Sequence, residues 1–192
     1  MSSAMPNNFP REELPYHLVW PSLLMSVITV AGSLYLSMGM GLKACPLCFY
    51  QRTFAMGVVA VLLMGLLSGG HRSILNLLVF PLTVAGFAVA GQHVFLELSG
   101  RLECPKGILG YGTAPQQSLA SYILLLIVVM VGVARSGRIG SMHRMVFPTG
   151  IVLGIILAWA CVASAPPPTI PSKAYEGPFD MCRVPYRATP AN

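Results

Sequence analysis

Five long apolar runs, separated by short polar breaks, dominate the chain: residues 18–40, 48–67, 74–98, 119–134 and 145–165. A bilayer core about 30 Å thick takes roughly 20 helical residues to cross. Four of the runs meet that length, and the fourth in order does so by taking Gln117 and Ser118 at the interface. Only 9% of the 192 residues are charged and 55% are hydrophobic, with mean hydropathy +0.69. A soluble domain carries about 25% charged residues, so this chain has too little polar surface to face water. The fold class is therefore all-α: a polytopic membrane protein, one compact unit by length. Pro21, Pro81 and Pro148 fall inside the first, third and fifth runs. Membrane helices tolerate this where neighbours satisfy the freed carbonyls.

The formal charge of +6 is spread thinly over loops, where it serves topology and anionic lipid rather than nucleic acid. The first run is too long for a signal-peptide core and lacks a clean small-residue cleavage site, so it is expected to remain as a span. "SGGHRS" is so short that the second and third spans must be antiparallel neighbours. With the N-terminus inside, Arg11, Arg72, Arg135, Arg138 and Arg144 lie inside and Lys43, Arg101, Lys106, Lys173, Arg183 and Arg187 outside. That count does not decide orientation; the crowding of three arginines into "ARSGRIGSMHR" favours that loop as cytoplasmic. By parity of the spans, Cys45, Cys48, Cys104 and Cys182 share one side whichever way the chain points. Disulfides persist on the oxidising face, so redox work by these cysteines would place that side outside the cytoplasm.

In "KACPLCFYQR", residues 43–52, Pro46 suits the first helical position, where its missing N–H costs nothing. Cys45 then stands near the N-cap and Cys48 in the first turn. Unpaired N–H groups and the positive end of the helix dipole there favour a thiolate, the usual tuning of a Cys-x-x-Cys pair. Arg52 lies at i+4 from Cys48, on the same face and a turn deeper. A guanidinium at that depth needs an anion or polar ligand, unless it snorkels to the interface. His93, at the end of the third span, is predicted to sit beside Cys48 and Arg52. Glu97, at i+4 from His93, either orients the imidazole or lies in headgroups. The thiol pair itself is open to other readings: half of a zinc site completed by Cys104 and Cys182, or a static disulfide in a non-enzymatic membrane protein.

Cys-x-x-Cys-x-x-x-Arg at the mouth of a second span, with His93 closing the third and Cys104 eleven residues later, resembles the disulfide-bond formation protein B family (DsbB). The resemblance covers roughly residues 15–135. It implies a four-helix transmembrane bundle in the bacterial inner membrane, N-terminus cytoplasmic. The implied activity is thiol:quinone oxidoreduction: reoxidation of a periplasmic, DsbA-like thioredoxin-fold oxidase, with electrons passed to the membrane quinone pool as ubiquinone or menaquinone. Cys48 then resembles the quinone-facing thiol, with Arg52 and His93 at the quinone, and Cys45 its exchanging partner. Cys104 resembles the loop cysteine that forms the mixed disulfide with DsbA. The vitamin K epoxide reductase family, another thiol–quinone bundle, is less similar because its Cys-x-x-Cys follows the loop cysteines.

The chain departs from the family pattern in two ways. The loop after the third span holds only Cys104, and the fourth cysteine, Cys182, follows an additional fifth span. The expected organisation is a bundle with redox loops over residues 1–165 and a proline-rich periplasmic tail over 166–192 carrying Cys182. An extended proline-rich chain at about 3.1 Å per residue lets Cys182 reach either Cys104 or Cys45. Cys161, inside the fifth span, is expected to pack as a small apolar residue, the alternative being a bond to Cys104 or Cys182. Ile108, Leu109 and Tyr111 either dip into the interface or stand as plain surface residues.

Overall fold

A computed structural model describes residues 19–68, 72–135, 142–167, 171 and 174–186. Arg11, Arg138, Lys173 and Arg187, offered above as topology markers, lie outside these. The described residues form five helices, each long and apolar enough to cross a membrane. They are α1 (Val19–Leu34), α2 (Pro46–Leu67), α3 (Arg72–Leu98), α4 (Ala114–Arg135) and α5 (Met142–Ser164). A π-helical turn, Tyr35–Gly39, extends α1, and a 3-10 turn, Ile108–Gly110, interrupts the loop between α3 and α4. Among the described residues there is no strand, only two isolated antiparallel bridges, Glu103 with Arg183 and Lys106 with Thr113. The five expected spans are present. α4 starts five residues before the expected Leu119, because Pro115 suits a first helical turn and is buried there.

α3 is the axis of the bundle and packs on α2, α4 and α5. Of its span 56% is buried, against 11% for that of α5. Lipid is as apolar as leucine, so helices associate in it through close packing and interhelical hydrogen bonds rather than a hydrophobic force. Gly150 and Gly154 supply that closeness for α5. A Cβ on Gly150 would stand 2.6 Å from the Phe80 ring, and one on Gly154 2.6 Å from Val84 and 2.8 Å from the Pro81 carbonyl oxygen. The opposite face of α5, with Ile155, Ile156 and Trp159 exposed, is left to lipid. Between α4 and α2 the bond is polar: the buried Tyr122 hydroxyl donates to the Gln51 carbonyl at 2.5 Å.

Beyond α5 the chain folds back over the end of the bundle. The Lys43 N–H donates to the Asp180 carbonyl at 2.8 Å, and the Lys43 ammonium pairs with its carboxylate at 2.9 Å. Glu103 and Arg183 exchange backbone hydrogen bonds of 2.8 and 2.9 Å. The Arg183 guanidinium lies over the rings of Tyr175 and Phe179, 4.2 and 4.6 Å from their centroids. The tail thus straps the α1–α2 connection to the α3–α4 loop.

Candidate functional site: a sulfur cluster beside a membrane-level cavity

The start of α2 sets the first thiol pair. Pro46 occupies the first turn, Cys45 is the extended N-cap, and its sulfur accepts the Cys48 N–H at 3.4 Å. This places the two sulfurs 3.0 Å apart. The hydrogen bond shared with Cys48, above all, holds the Cys45 thiol well below its ordinary value. Burial opposes this shift and His93 reinforces it.

The second pair is a disulfide. Cys104 and Cys182 are bonded across 78 residues of sequence, so of the partners open to the tail cysteine, Cys104, Cys45 and Cys161, it takes the loop cysteine. Each cysteine is next in sequence to a residue of the Glu103–Arg183 bridge, and both are buried. Cys161 is free and half-buried in α5, packed among the apolar neighbours of the cluster.

His93 stands at the centre. It is fully buried, with Nε2 3.5 Å from the Cys104 sulfur and 3.8 Å from that of Cys45. Its Nδ1 lies 3.9 Å from the Cys48 sulfur and 3.4 Å from the Gln51 amide nitrogen. The donor atoms of Cys45, Cys48, His93 and Cys182 all fall within 4.8 Å of one another. Antiparallel α2 and α3 bring His93 to Cys48, as the short connection requires. Glu97 does not reach the imidazole; it accepts from the Thr113 hydroxyl at 2.8 Å and anchors the loop.

Arg52 does not snorkel. Its Nε donates to the Ser33 hydroxyl at 3.0 Å, and one terminal nitrogen to the Ser33 carbonyl at 2.9 Å and the Ser37 hydroxyl at 2.5 Å. Ser33 precedes, and Ser37 lies within, the π-helical turn, a distortion that recurs at functional sites. The guanidinium so placed lines a cavity of about 400 Å³ between α1, α2, α4 and the loop, with Cys48, Ser37, Ile108 and Ser118 on its other walls. Cys48 is the member of the first pair that faces it; Cys45 and His93 do not line it. His93, anticipated at a quinone, therefore stands among the sulfurs, with Cys48 and Gln51 between it and the cavity. Ile108 reaches into the cavity and Tyr111 is exposed at its rim; the side chain of Leu109 lies outside the described residues.

Sequence reasoning did not single out Gln51, Ser33, Ser37 or Tyr122, and it named Ser118 only as an interfacial residue of the fourth span. Gln51 alone carried a signal, as an uncharged polar residue one turn inside a span and flanked by the thiols and Arg52. The serines look like ordinary helix residues until α1 and α4 are placed around α2.

The family model described as "Disulfide bond formation protein DsbB" matches residues 16–123, more than half of the chain and every residue of the cluster except Cys182. The chain belongs to the DsbB family. Among curated relatives it is 37% identical over 86 residues to disulfide bond formation protein B 1 of Pseudomonas aeruginosa, which is 43% of this chain and 53% of that protein. It is 34% identical over 73 residues to disulfide bond formation protein B of Xylella fastidiosa, 36% of this chain and 42% of that one. A longer match, 28% identical over 147 residues, covers 73% of this chain and 79% of disulfide bond formation protein B 1 of Pseudomonas fluorescens. The chain thus spans about half the length of the first two relatives. No solved structure matches it.

Proposed function

We propose that this DsbB-family chain is a membrane thiol:quinone oxidoreductase of the bacterial inner membrane that reoxidises a periplasmic, DsbA-like thioredoxin-fold oxidase. The observation that carries this reading is the convergence of both cysteine pairs on His93, with one member of each pair, Cys48 and Cys182, lining the cavity. The bundle over residues 1–165 supplies the electron exit and the tail over 166–192 supplies Cys182. Both connections that carry cysteines face the periplasm, with the N-terminus in the cytoplasm.

The cavity suits a quinone ring. It is walled mainly by apolar groups, lies at the depth of the first turns of α2, and presents a guanidinium oriented by two serines, a donor that can bind a carbonyl oxygen. A bound quinone would supply the acceptor for two electrons and two protons. Arg52 would hold its oxygen, Cys48 its nearest sulfur.

The relay is ordinary thiol–disulfide exchange. A thiolate of the reduced partner attacks Cys104, the Cys104–Cys182 bond breaks, and Cys182 leaves as thiolate. Cys182 attacks Cys45 in a Cys45–Cys48 disulfide, and Cys48 leaves as thiolate toward the cavity. The partner's second thiol resolves its bond to Cys104. Cys104 then attacks Cys182, restoring their disulfide and releasing Cys45. With a quinone held at Arg52, the Cys45/Cys48 dithiol would re-form its disulfide by giving up two electrons and two protons to that acceptor.

The test mixes purified protein, a reduced thioredoxin-fold partner and a water-soluble quinone, and follows quinone absorbance. Wild type consumes quinone and Cys48→Ser does not; equal rates would overturn the proposal. A zinc site is the second reading, favoured by four donors within 4.8 Å. It requires Cys182 to be released from Cys104, and stoichiometric zinc in the purified, reduced protein would establish it.

A further inference from the structure

His93 is fully buried at the site, and its surroundings specify where its proton sits. The Ser118 hydroxyl donates to the Gln51 side-chain oxygen at 2.6 Å. The Gln51 amide nitrogen, the opposite end of the same planar group, therefore faces His93 Nδ1 at 3.4 Å. An amide NH2 can only donate, so Nδ1 accepts. In a neutral imidazole the single proton is then on Nε2, the nitrogen aimed at the sulfurs of Cys104 and Cys45.

Resting on the relay above, we propose that Gln51, oriented by Ser118, locks His93 as a neutral imidazole protonated on Nε2, making His93 the shared hydrogen-bond donor to the thiolates that enter and leave the exchange at Cys182. In the step that restores the outer disulfide, Cys104 thiolate attacks Cys182 Sγ of a Cys45–Cys182 disulfide. The Cys104–Cys182 bond forms, the Cys45–Cys182 bond breaks, and the electron pair leaves on Cys45. Charge moves from one sulfur to the other while both lie within reach of the same N–H, at 3.5 and 3.8 Å. No proton leaves the ring, and none is needed. His93 is here a catalytic residue and Gln51 a positioning residue. This differs from a histidine that binds the quinone, since His93 does not line the cavity.

The groups facing the ring set what a pH profile can report. From the start of α2 come Cys45 and Cys48; from the loop and tail, Cys104 and Cys182 once reduced. On α3 itself Glu97 is engaged by Thr113. From α4 the Tyr122 hydroxyl is bound to the Gln51 carbonyl, and Arg52 is turned to Ser33 and Ser37. Gln51→Glu converts the partner of Nδ1 into an acceptor. The neutral ring then carries its proton on Nδ1 and turns a lone pair toward the sulfurs.

The experiment uses the full chain in lipid nanodiscs, 15N-labelled at histidine. The ring-nitrogen shifts of His93 are expected to report the neutral Nε2-protonated form in wild type and its loss in Gln51→Glu. In single-turnover exchange with a reduced thioredoxin-fold partner, Gln51→Glu is expected to be about tenfold slower than wild type at alkaline pH, the scale of one charge-assisted hydrogen bond. A proton on Nδ1 in wild type, or an unchanged exchange rate in Gln51→Glu, overturns the proposal. If Gln51→Glu does not retain the Cys104–Cys182 disulfide, Ser118→Ala takes its place: it removes only the group that orients Gln51, and an unmixed tautomer there is equally fatal. Wild type that shows the Nε2 tautomer but no exchange would sink the relay and leave the Gln51–His93 lock standing.

Discussion

The two cysteine pairs are built in opposite ways. Cys45 and Cys48 are three residues apart, and one helix start sets their geometry: an N-cap, a proline and a backbone N–H on sulfur. Cys104 and Cys182 are 78 residues apart and meet only because α5 packs on α3 and the tail is strapped across the loop by Asp180 and Arg183. The first pair is a property of ten residues, the second a property of the whole fold. Damage to the bundle should therefore separate them, and damage to one pair should leave the other formed.

The most severe break of that comparison is Cys45→Ser. Serine is no thiolate, and quinone-linked turnover is expected to fall by more than about a thousandfold while the Cys104–Cys182 disulfide still forms, read by mass after alkylation. Turnover within a factor of about ten of wild type would mean the helix pair is not the exit. Cys182→Ser should cost more than about a hundredfold in partner-driven turnover, yet oxidation of Cys45 and Cys48 by a soluble quinone in a single turnover should persist. Loss of both would show that the tail is needed for the inner pair as well.

Gly154→Leu strikes the route between the pairs. The new side chain meets Val84 and the Pro81 carbonyl, and overpacking of this kind costs about 1–3 kcal/mol. The expected outcome is a lower unfolding temperature and a reduced fraction of Cys104–Cys182 bond, with thiol reactivity of the inner pair unchanged. Arg52→Ala removes the guanidinium from the cavity. It is expected to raise the quinone KM about tenfold, one charged hydrogen bond's worth, without slowing exchange between the pairs; an unchanged KM would leave Arg52 as a brace for α1.

The smallest effect belongs to the strap. The Lys43 ammonium holds the Asp180 carboxyl below its ordinary value of 3.8. A carboxyl lowered on folding adds anchoring that is complete above that ordinary value and is lost as pH falls through the lowered one. Tail protection from proteolysis should thus be flat across neutral pH and weaken only in strong acid. Asp180→Asn at about pH 7 should change it less than about twofold, since exposed pairs are screened. A large loss there would make Asp180 an essential latch.

Much of this was legible in the sequence, for reasons that differ by region. The five spans are composition and length, which the bilayer reads directly. Pro46 and the Cys spacing announce the N-cap, and the short α2–α3 connection brings His93 to Cys48. Arg52 was legible as a charge in need of a ligand, but its ligands Ser33 and Ser37 were not, because a serine in a membrane helix carries no sign of which neighbour will face it. Gln51 was hidden in plain view within the same motif; its importance depends on Ser118 arriving from α4. The choice of Cys104 for Cys182 was open on reach alone and was decided by the Glu103–Arg183 bridge and the contact of Asp180 with Lys43. Glu97 stood at the right spacing for His93 and went to Thr113, since helical periodicity fixes a face but not a partner.

The tail has a further meaning in terms of competition. A cysteine on a separate protein meets the cluster only as often as its concentration allows. Cys182, tethered a short chain beyond Ser164, stays close to Cys104 and Cys45 even when its bond is open, and short tethers confer effective concentrations of the order of millimolar. Small soluble thiols therefore face a rival that never diffuses away, and the pair should close again before most of them arrive. By that measure α5 acts as a mooring, and the extra helix stands in for the short loop that would otherwise hold the fourth sulfur within range.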